Sequence, residues 1–152
     1  MTSVLDDLPL LAGLSHDQRA AIAKIAHHED YAPGTRLFDE GQPADRCWVV
    51  TSGRAVVETD IPGRGRTVVQ SVGPGELLGW SWMMPPHRWH FSAGVTVPTG
   101  AVVVDAVELR KLADADPVLG YQLSRILLDA LLTRLQATRI RLLDLYRHPD
   151  ED

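Results

Sequence analysis

The residues best suited to chemistry lie in one stretch, GELLGWSWMMPPHRWHFSAG, at positions 75–94. It contains three of the chain's four tryptophans, together with His87, Arg88 and His90. Imidazoles can bind a metal ion, a guanidinium can bind an anion, and indole rings can stack on a flat ligand or fill a core. The stretch therefore raises three possibilities: a metal site, an anion site, and an aromatic pocket or plug.

The residue types available disfavour a metal site and a catalytic site. A tetrahedral metal centre needs three or four protein ligands, and only Cys47 is an obvious addition to His87 and His90. A lone cysteine in a β-rich run, as Cys47 is, usually acts as a small buried hydrophobe. No nucleophile–base arrangement or catalytic carboxylate pair is recognisable. We therefore predict no metal ligands, no catalytic residues and no enzymatic activity.

Composition indicates one soluble globular domain. The chain has 152 residues, is 45% hydrophobic and 23% charged, and carries a net charge of -5. No apolar run approaches the ~18 residues that cross a bilayer, and the N-terminus lacks the basic residues of a signal peptide. Positive charge is scattered, apart from Arg134, Arg139 and Arg141, so a basic face for nucleic acid is not expected. We predict a cytoplasmic protein that binds neither DNA nor a membrane.

Short β-rich runs, separated by Gly and Pro turn signals, fill residues 31–105. This spacing is typical of a β-sandwich or small barrel. The runs are TRLF, RCWVVTS, RAVVETD, RTVVQSV, FSAGVTV and AVVVD.

Helices are expected before and after the β-rich region. Ser15 and Gln18 form a capping-box pattern, which predicts a helix over 16–28. His27 and His28 would then interact with the carbonyls of its last turn.

Two further helix starts follow the β-rich region. Asp105 and Glu108 predict a second capping box, and Asp116 with Pro117 begins a long helix that runs to about Arg147. The chain thus divides into a helical segment over 1–30, a β jelly roll over 31–105, C-terminal helices over 106–147 and a tail over 148–152.

The long C-terminal helix carries two apolar faces. One is an a/d heptad series formed by Leu128, Leu131, Leu135, Thr138, Leu142 and Leu145. The other is formed by Leu127, Ala130, Ala137 and Ile140. One face can cover the β-region while the other pairs with a second copy, although a single broad core-facing stripe would give a similar pattern. We predict a homodimer through the a/d seam.

Three segments carry a family resemblance: LLAGLSHDQRAAIAKIA, GTRLFDEGQPADRCWVVTSGRAVVE and VGPGELLG. Together they resemble the cyclic-nucleotide-binding domain of the catabolite activator protein and Fnr superfamily, from about Leu8 to about Tyr146. The resemblance implies a mainly β fold with flanking helices, a double-stranded β-helix (jelly roll) followed by a long dimerisation helix. Gly34, Gly41, Gly53, Gly75 and Gly79 fall where that family turns its strands. Family transcription factors continue into a winged helix-turn-helix, and from the length of this sequence we expect a sensor domain without one.

The nucleotide-binding cassette departs from the family pattern. Gly79 and the pair Ser92-Ala93 are kept, but Trp80 stands where the family has a glutamate for the ribose hydroxyl. Phe91 stands where it has an arginine for the phosphate. Losing one charged partner of a buried phosphate contact costs roughly 2–5 kcal/mol, or about 30- to 4,000-fold in affinity.

The resemblance still defines a candidate pocket. Thr138 would offer its hydroxyl to a base, or would be only a tolerated seam residue, and the backbone N–H groups after Gly79 or the Arg88 and His90 side chains could still hold an anion. The candidate pocket residues are Gly79, Trp80, Ser81, Arg88, Phe91, Ser92, Ala93 and Thr138.

Three interpretations of the aromatic residues remain open. Trp80, Trp82, Trp89 and Phe91 could fill the former pocket, line an altered pocket for a flat or apolar ligand, or permit weak binding of cAMP or cGMP. No cofactor is certain from the sequence, and weakly bound cAMP or cGMP is the one candidate. It predicts a regulatory or sensor module with a protein partner. The alternative is a ligand-free structural subunit of a larger enzyme complex.

Overall fold

The computed structural model describes residues 1–146, so the predicted tail over 148–152 lies outside the described residues. The helices are α1 (Thr2–Asp6), α2 (His16–Ala23), α3 (Ala106–Ala115) and α4 (Pro117–Tyr146). The strands are β1 (Ala26–Tyr31), β2 (Arg36–Phe38), β3 (Arg46–Ser52), β4 (Ala55–Ile61), β5 (Gly65–Val72), β6 (Leu77–Leu78), β7 (Ser92–Val95) and β8 (Thr99–Asp105). No helix within residues 1–146 is both long and apolar enough to span a bilayer.

The eight strands form two antiparallel four-stranded sheets, ordered β1-β8-β3-β6 and β2-β7-β4-β5. This confirms the mainly β fold with flanking helices and a long C-terminal helix. All six predicted β-rich runs contain a strand, and β3 coincides with RCWVVTS. The sequence did not reveal β6, because a two-residue strand is too short to show alternation.

The central strands of the first sheet are buried on both faces. Four consecutive residues of β3 and six of β8 are buried. Because successive side chains point to opposite faces of a sheet, such runs need cover on both sides. The second sheet covers the inner face, while α1, α2, α3 and the first half of α4 pack on the outer face.

The predicted helix over 16–28 is wrong beyond Ala23. Its start is confirmed, since Ser15 Oγ accepts from the Gln18 backbone N–H (3.1 Å) and Gln18 Oε1 accepts from that of Ser15 (2.8 Å). His27 and His28 lie instead in β1, opposite β8. The Ile/Ala spacing fits a helix, but pairing with β8 over six residues overrides that local preference. The β-region therefore begins at β1, within the predicted N-terminal helical segment.

The later helix starts agree with the sequence, with one correction. Asp105 Oδ1 accepts from the Glu108 N–H (3.1 Å), but Glu108 Oε1 bonds Lys111 Nζ (3.1 Å) rather than completing a capping box. At the next start, Asp116 Oδ1 accepts from two N–H groups of the first turn of α4. Gly120 permits a close helix crossing, since a Cβ there would lie 2.8 Å from a carbonyl oxygen of α3.

Candidate ligand pocket

The loop singled out by the sequence connects the two sheets. Strand β6 pairs with β3 in the first sheet and leads into Gly79, whose φ of +93° is a left-handed conformation that favours glycine. A short 3-10 turn, Ser81–Met83, follows, and the loop re-enters the second sheet as β7. The loop therefore lies at the mouth of the space between the two sheets.

Trp89 fills that space. Its indole is 4% exposed and stacks on Phe38 with ring centroids 3.9 Å apart and an interplanar angle of 16°. A Cβ at Gly79 would lie 2.8 Å from Cη2 of Trp89, so the indole rests directly against the glycine backbone. The Trp89 N–H donates to the Gln42 carbonyl (2.9 Å), and the Gly41 N–H donates to the Trp89 carbonyl (2.8 Å). These two backbone bonds fix the loop that carries the indole.

The cavity that remains beside Trp89 measures about 20 Å³. One water molecule needs roughly 10–15 Å³ by the same kind of measure, so the cavity can hold about one water and no nucleotide. Its walls are Phe38, Val57, Leu78, Gly79, Trp80, Ser81, Trp89, His90 and Phe91.

The predicted pocket residues are only partly brought together. Gly79, Trp80, Ser81 and Phe91 share the small cavity, and Phe91 is 37% exposed at its edge. Ser92 and Ala93 follow directly in the buried strand β7.

Ser92, Arg88 and Thr138 are engaged elsewhere. Ser92 Oγ accepts from the Glu40 N–H (3.0 Å), and Arg88 Nη1 donates to the Gly41 carbonyl (2.8 Å). Thr138 is exposed on α4 and lines a separate groove beside β5. In this conformation these three side chains do not converge with the small cavity.

The aromatic filling differs from the set expected. Trp82 is buried, but it lines a different small cavity with Cys47 and Val49, on the helix-covered face of the first sheet. Its Nε1 donates to the Gly79 carbonyl (2.9 Å). The filling is instead Trp89 with Phe38, which lies about fifty residues away in sequence.

Residues 28–116 match the family model of the cyclic nucleotide-binding domain. The chain belongs to that family. It is 27% identical over 145 residues to the CRP-like cAMP-activated global transcriptional regulator of Mycobacterium tuberculosis (strain CDC 1551 / Oshkosh), covering 95% of this chain and 63% of that relative. It thus spans less than two thirds of the regulator's length.

Two solved structures share the fold. The N-terminal domain of a transcriptional regulator from Streptomyces coelicolor A3(2) matches with a TM-score of 0.65 and 26% identity, over 98% of this chain and 99% of that one. A cyclic nucleotide-binding domain from Methylobacillus flagellatus KT matches with a TM-score of 0.78 and 23% identity, over 94% and 80%. The second likeness supports the architecture alone.

In this cyclic nucleotide-binding domain, Trp80 is covered by Arg134 of α4. The guanidinium carbon lies 4.6 Å from the ring centroid, and Nη2 donates to the Leu77 carbonyl (2.6 Å). Nη1 is buried and has no hydrogen-bond partner among the described residues. Burial lowers the pKa of Arg134, and the nearby Glu76 carboxylate partly opposes that shift. The sequence marked Arg134 only as part of a basic group, because nothing local shows that it folds back onto the loop.

A polar chain extends behind the aromatic stack. Trp48, buried beside Phe38, donates from Nε1 to the Tyr31 hydroxyl (3.0 Å), which donates to Glu29 (2.6 Å). Burial, and then the bond to Glu29, raises the pKa of Tyr31 to about 12. Bonds from Tyr31 and His27 lower the pKa of Glu29. These hydrogen bonds connect the aromatic side chains between the two sheets to the edge strand β1.

The second half of α4 is exposed over most of its surface. Leu128, Leu131, Leu135 and Leu142 of the predicted seam are exposed, and the side chain of Leu145 lies outside the described part. The expectation that Leu127, Ala130, Ala137 and Ile140 form one face on the β-region is only half right. Leu127 is buried and Ala130 half-buried, whereas Ala137 and Ile140 are exposed.

Proposed function

We propose that this chain is a non-catalytic regulatory module whose nucleotide pocket is occupied by its own Trp89 and Phe38. The observation that carries the proposal is the residual cavity of about 20 Å³ beside a tryptophan packed against Gly79. A cyclic nucleotide would have to displace that indole, and it would then meet Trp80 and Phe91 rather than a carboxylate and a guanidinium. Binding of cAMP or cGMP is therefore at best weak.

We infer further that the module acts as a homodimer through α4. Four leucines of the a/d seam are 38–65% exposed in the single chain, and a contiguous exposed apolar stripe of this kind usually marks an interface. A change in the pairing of these helices would transmit a regulatory signal to a protein partner. The proposal includes no DNA-binding role for the residues described.

The test is calorimetric titration of the purified chain with cAMP and then cGMP, up to millimolar ligand. We expect no saturable heat in the micromolar range. Saturable micromolar binding would refute the filled pocket and favour a nucleotide sensor.

Restoring the pocket gives a second test. Trp80→Glu with Phe91→Arg should not create micromolar cAMP binding while Trp89 is present, because the space stays closed. Adding Trp89→Ala to the same pair should strengthen binding by at least tenfold, about 1.4 kcal/mol. Equal binding by both variants, checked for folding by circular dichroism, would show that Trp89 is not the obstruction.

A structural subunit of a larger complex is the second candidate. It is favoured by Leu132, Ile140 and Leu143, which are exposed on α4 outside the a/d seam. If the module is structural, ligands will leave its partner's activity unchanged, and Leu143→Lys will release the partner while the homodimer persists. If the Leu143→Lys variant still binds the partner, the exposed residues outside the a/d seam are not the partner-binding surface.

A further inference from the structure

A pocket of about 410 Å³ lies between the N-terminal segment and the first half of α4, and no strand residue lines it. Its volume falls within the ~300–1,000 Å³ range of small-molecule sites. Pro9, Leu10 and Leu14 supply its apolar wall, and Arg125 and Asp129 of α4 supply its charges. We propose that this pocket binds a free apolar α-amino acid, with the ligand's carboxylate at Arg125 and its ammonium at Asp129.

The two charged side chains lie on one face of α4. They are four residues apart, a spacing that places side chains one above the other, about one turn or ~6 Å apart along the axis. Neither forms an ion pair with another group of residues 1–146. The guanidinium carbon of Arg125 instead lies 5.8 Å from the ring centroid of Tyr121. Both charges are therefore available to a ligand in the pocket.

This pair of opposite charges selects a zwitterion. A free α-amino acid carries an ammonium and a carboxylate on the same carbon, so it can bridge Arg125 and Asp129 with a charge-assisted hydrogen bond to each. A simple amine or a simple acid satisfies one of the two side chains and meets the like charge of the other. A peptide terminus carries only one of the two charges at its end. The free amino acid is thus the ligand that fits both.

The apolar wall predicts the side chain of that amino acid. Leu14 is 4% exposed, and Leu10 and Ile126 are half-buried. Contact with these side chains removes a hydrocarbon group from water, which favours binding in proportion to the area covered. An amino acid with a large apolar side chain should therefore bind more tightly than glycine.

Bonds between the two sides of the pocket hold its wall in place. Gln122 Nε2 donates to the Gly13 carbonyl (3.3 Å), which joins the N-terminal segment to α4. The Leu14 N–H donates to the Leu11 carbonyl (3.0 Å) and continues the 3-10 turn that begins at Pro9. Oε1 of Gln122 is closed off from solvent and takes no part in the site. A wall that is already ordered lowers the entropic cost of binding.

The pocket stays accessible in the proposed homodimer. Ile126 and Asp129 lie roughly opposite the a/d seam around α4, since successive residues of a helix are turned by ~100°. A second copy paired through the seam therefore leaves the pocket open. The inference does not depend on the filling of the space between the two sheets, and a positive or negative titration with cAMP leaves it unchanged.

The experiment is titration calorimetry of the full chain with L-phenylalanine at about pH 6.5, where an α-amino group is protonated. L-phenylalaninamide lacks the carboxylate, 3-phenylpropionate lacks the ammonium, and glycine lacks the side chain. We expect saturable binding of L-phenylalanine below millimolar concentration. The amide and the acid should bind about two- to fivefold more weakly, as for loss of an exposed charge pair. Glycine should bind more weakly by about tenfold or more.

Charge variants test which head group each side chain binds. Arg125→Gln should weaken L-phenylalanine binding by about two- to fivefold without weakening that of L-phenylalaninamide. Asp129→Asn should weaken L-phenylalanine binding by a similar factor without weakening that of 3-phenylpropionate. Arg139→Gln and Asp144→Asn remove the same charges from exposed positions outside the pocket and should change nothing. Loss of folding would weaken all the probes alike and so cannot imitate this pattern.

A third variant fills the pocket. A Cβ at Gly13 meets no atom within 4 Å, so a large side chain there enters open space at the pocket wall. Gly13→Phe should abolish binding of L-phenylalanine, with folding checked by circular dichroism. Ala12→Phe, at the neighbouring exposed position outside the pocket, should bind like the wild type.

Three results would each overturn the proposal. The first is no saturable heat with L-phenylalanine up to millimolar concentration. The second is equal binding of L-phenylalanine and the probes that lack one of its groups. The third is equal weakening by Arg125→Gln and Arg139→Gln, which would reduce the effect to general charge. Because Arg125 is exposed, its variant keeps the test valid even if Gly13→Phe unfolds.

Discussion

Two groups of large apolar side chains end in opposite surroundings in this molecule. Phe38, Trp48 and Trp89 lie between the two sheets, each no more than 7% exposed. Leu128, Leu135 and their seam neighbours on α4 are about half exposed. The first group packs against other side chains of the same chain, whereas the second group is left uncovered by residues 1–146.

The difference follows from how sheets and helices bury surface. Two sheets packed face to face enclose their inner side chains, so an added indole there consumes ligand space. A helix longer than the domain it packs on leaves its far half uncovered. The space between the two sheets is therefore filled by side chains, while the second half of α4 presents an exposed apolar surface. Each prediction below perturbs one of these two groups or the bonds around it.

Trp89→Ala should have the largest effect, a loss of about 3–5 kcal/mol in the free energy of unfolding, because it removes a fully buried indole. Urea unfolding followed by circular dichroism measures it. Trp80→Ala should cost less, since that ring is only half-buried. Equal costs for the two variants would contradict Trp89 as the main filling residue.

Leu135→Lys tests the exposed group. Two lysines would face each other in a symmetric pair, so dimerisation should weaken by at least tenfold, about 1.4 kcal/mol. Sedimentation should show two 16.7 kDa chains for the wild type and one for the variant at micromolar concentration. Val68→Lys, at a similarly exposed apolar position on β5, is the matched control and should stay dimeric. A monomeric wild type would contradict the proposed dimer through the a/d seam.

Tyr31→Phe should have the smallest effect, about 1 kcal/mol at neutral pH, from lost hydrogen bonds to Trp48 and Glu29. The pKa of Tyr31 rises from 10.0 to about 12 on folding. Its neutral form therefore contributes stability that is complete below pH 10 and is lost between pH 10 and 12.

Urea midpoints measured across that pH range should fall less steeply in Tyr31→Phe than in the wild type. Some decline will remain, because burial also raises the pKa of Cys47 to about 12. Tyr121→Phe, an exposed tyrosine on α4, should keep the wild-type slope. Parallel curves for Tyr31→Phe and the wild type would disprove the role of this hydroxyl.

Local patterns were sufficient for most of the architecture. Ser15 with Gln18 and Asp116 with Pro117 marked helix starts, because capping is satisfied by residues two or three positions away. The β-rich runs between Gly and Pro turns gave six of the eight strands. The same local patterns wrongly predicted a helix through His28. They missed β1 because its pairing with β8 depends on residues more than seventy positions away.

The candidate pocket was less predictable because the register of the paired strands decides which side chains occupy it. Phe38 reaches Trp89 only because β2 pairs with β7, which sets Phe38 opposite Ala93. Nothing in the local sequence distinguishes Trp82 from Trp89, yet their side chains pack on opposite faces of the first sheet. Arg134 contacts Trp80 across 54 residues. No periodicity in the sequence encodes these three relations.

The contact between Trp89 and Gly79 constrains the order in which this pocket could change during evolution. While the indole rests on the glycine, no side chain can be accepted at position 79. A carboxylate at position 80 or a guanidinium at position 91, arriving first, would border a cavity of about 20 Å³ that admits no nucleotide. Charge at positions 80 and 91 could thus serve a nucleotide only once residue 89 has become small. Trp89 therefore limits which single substitutions could change the use of this pocket, in addition to packing the space between the sheets.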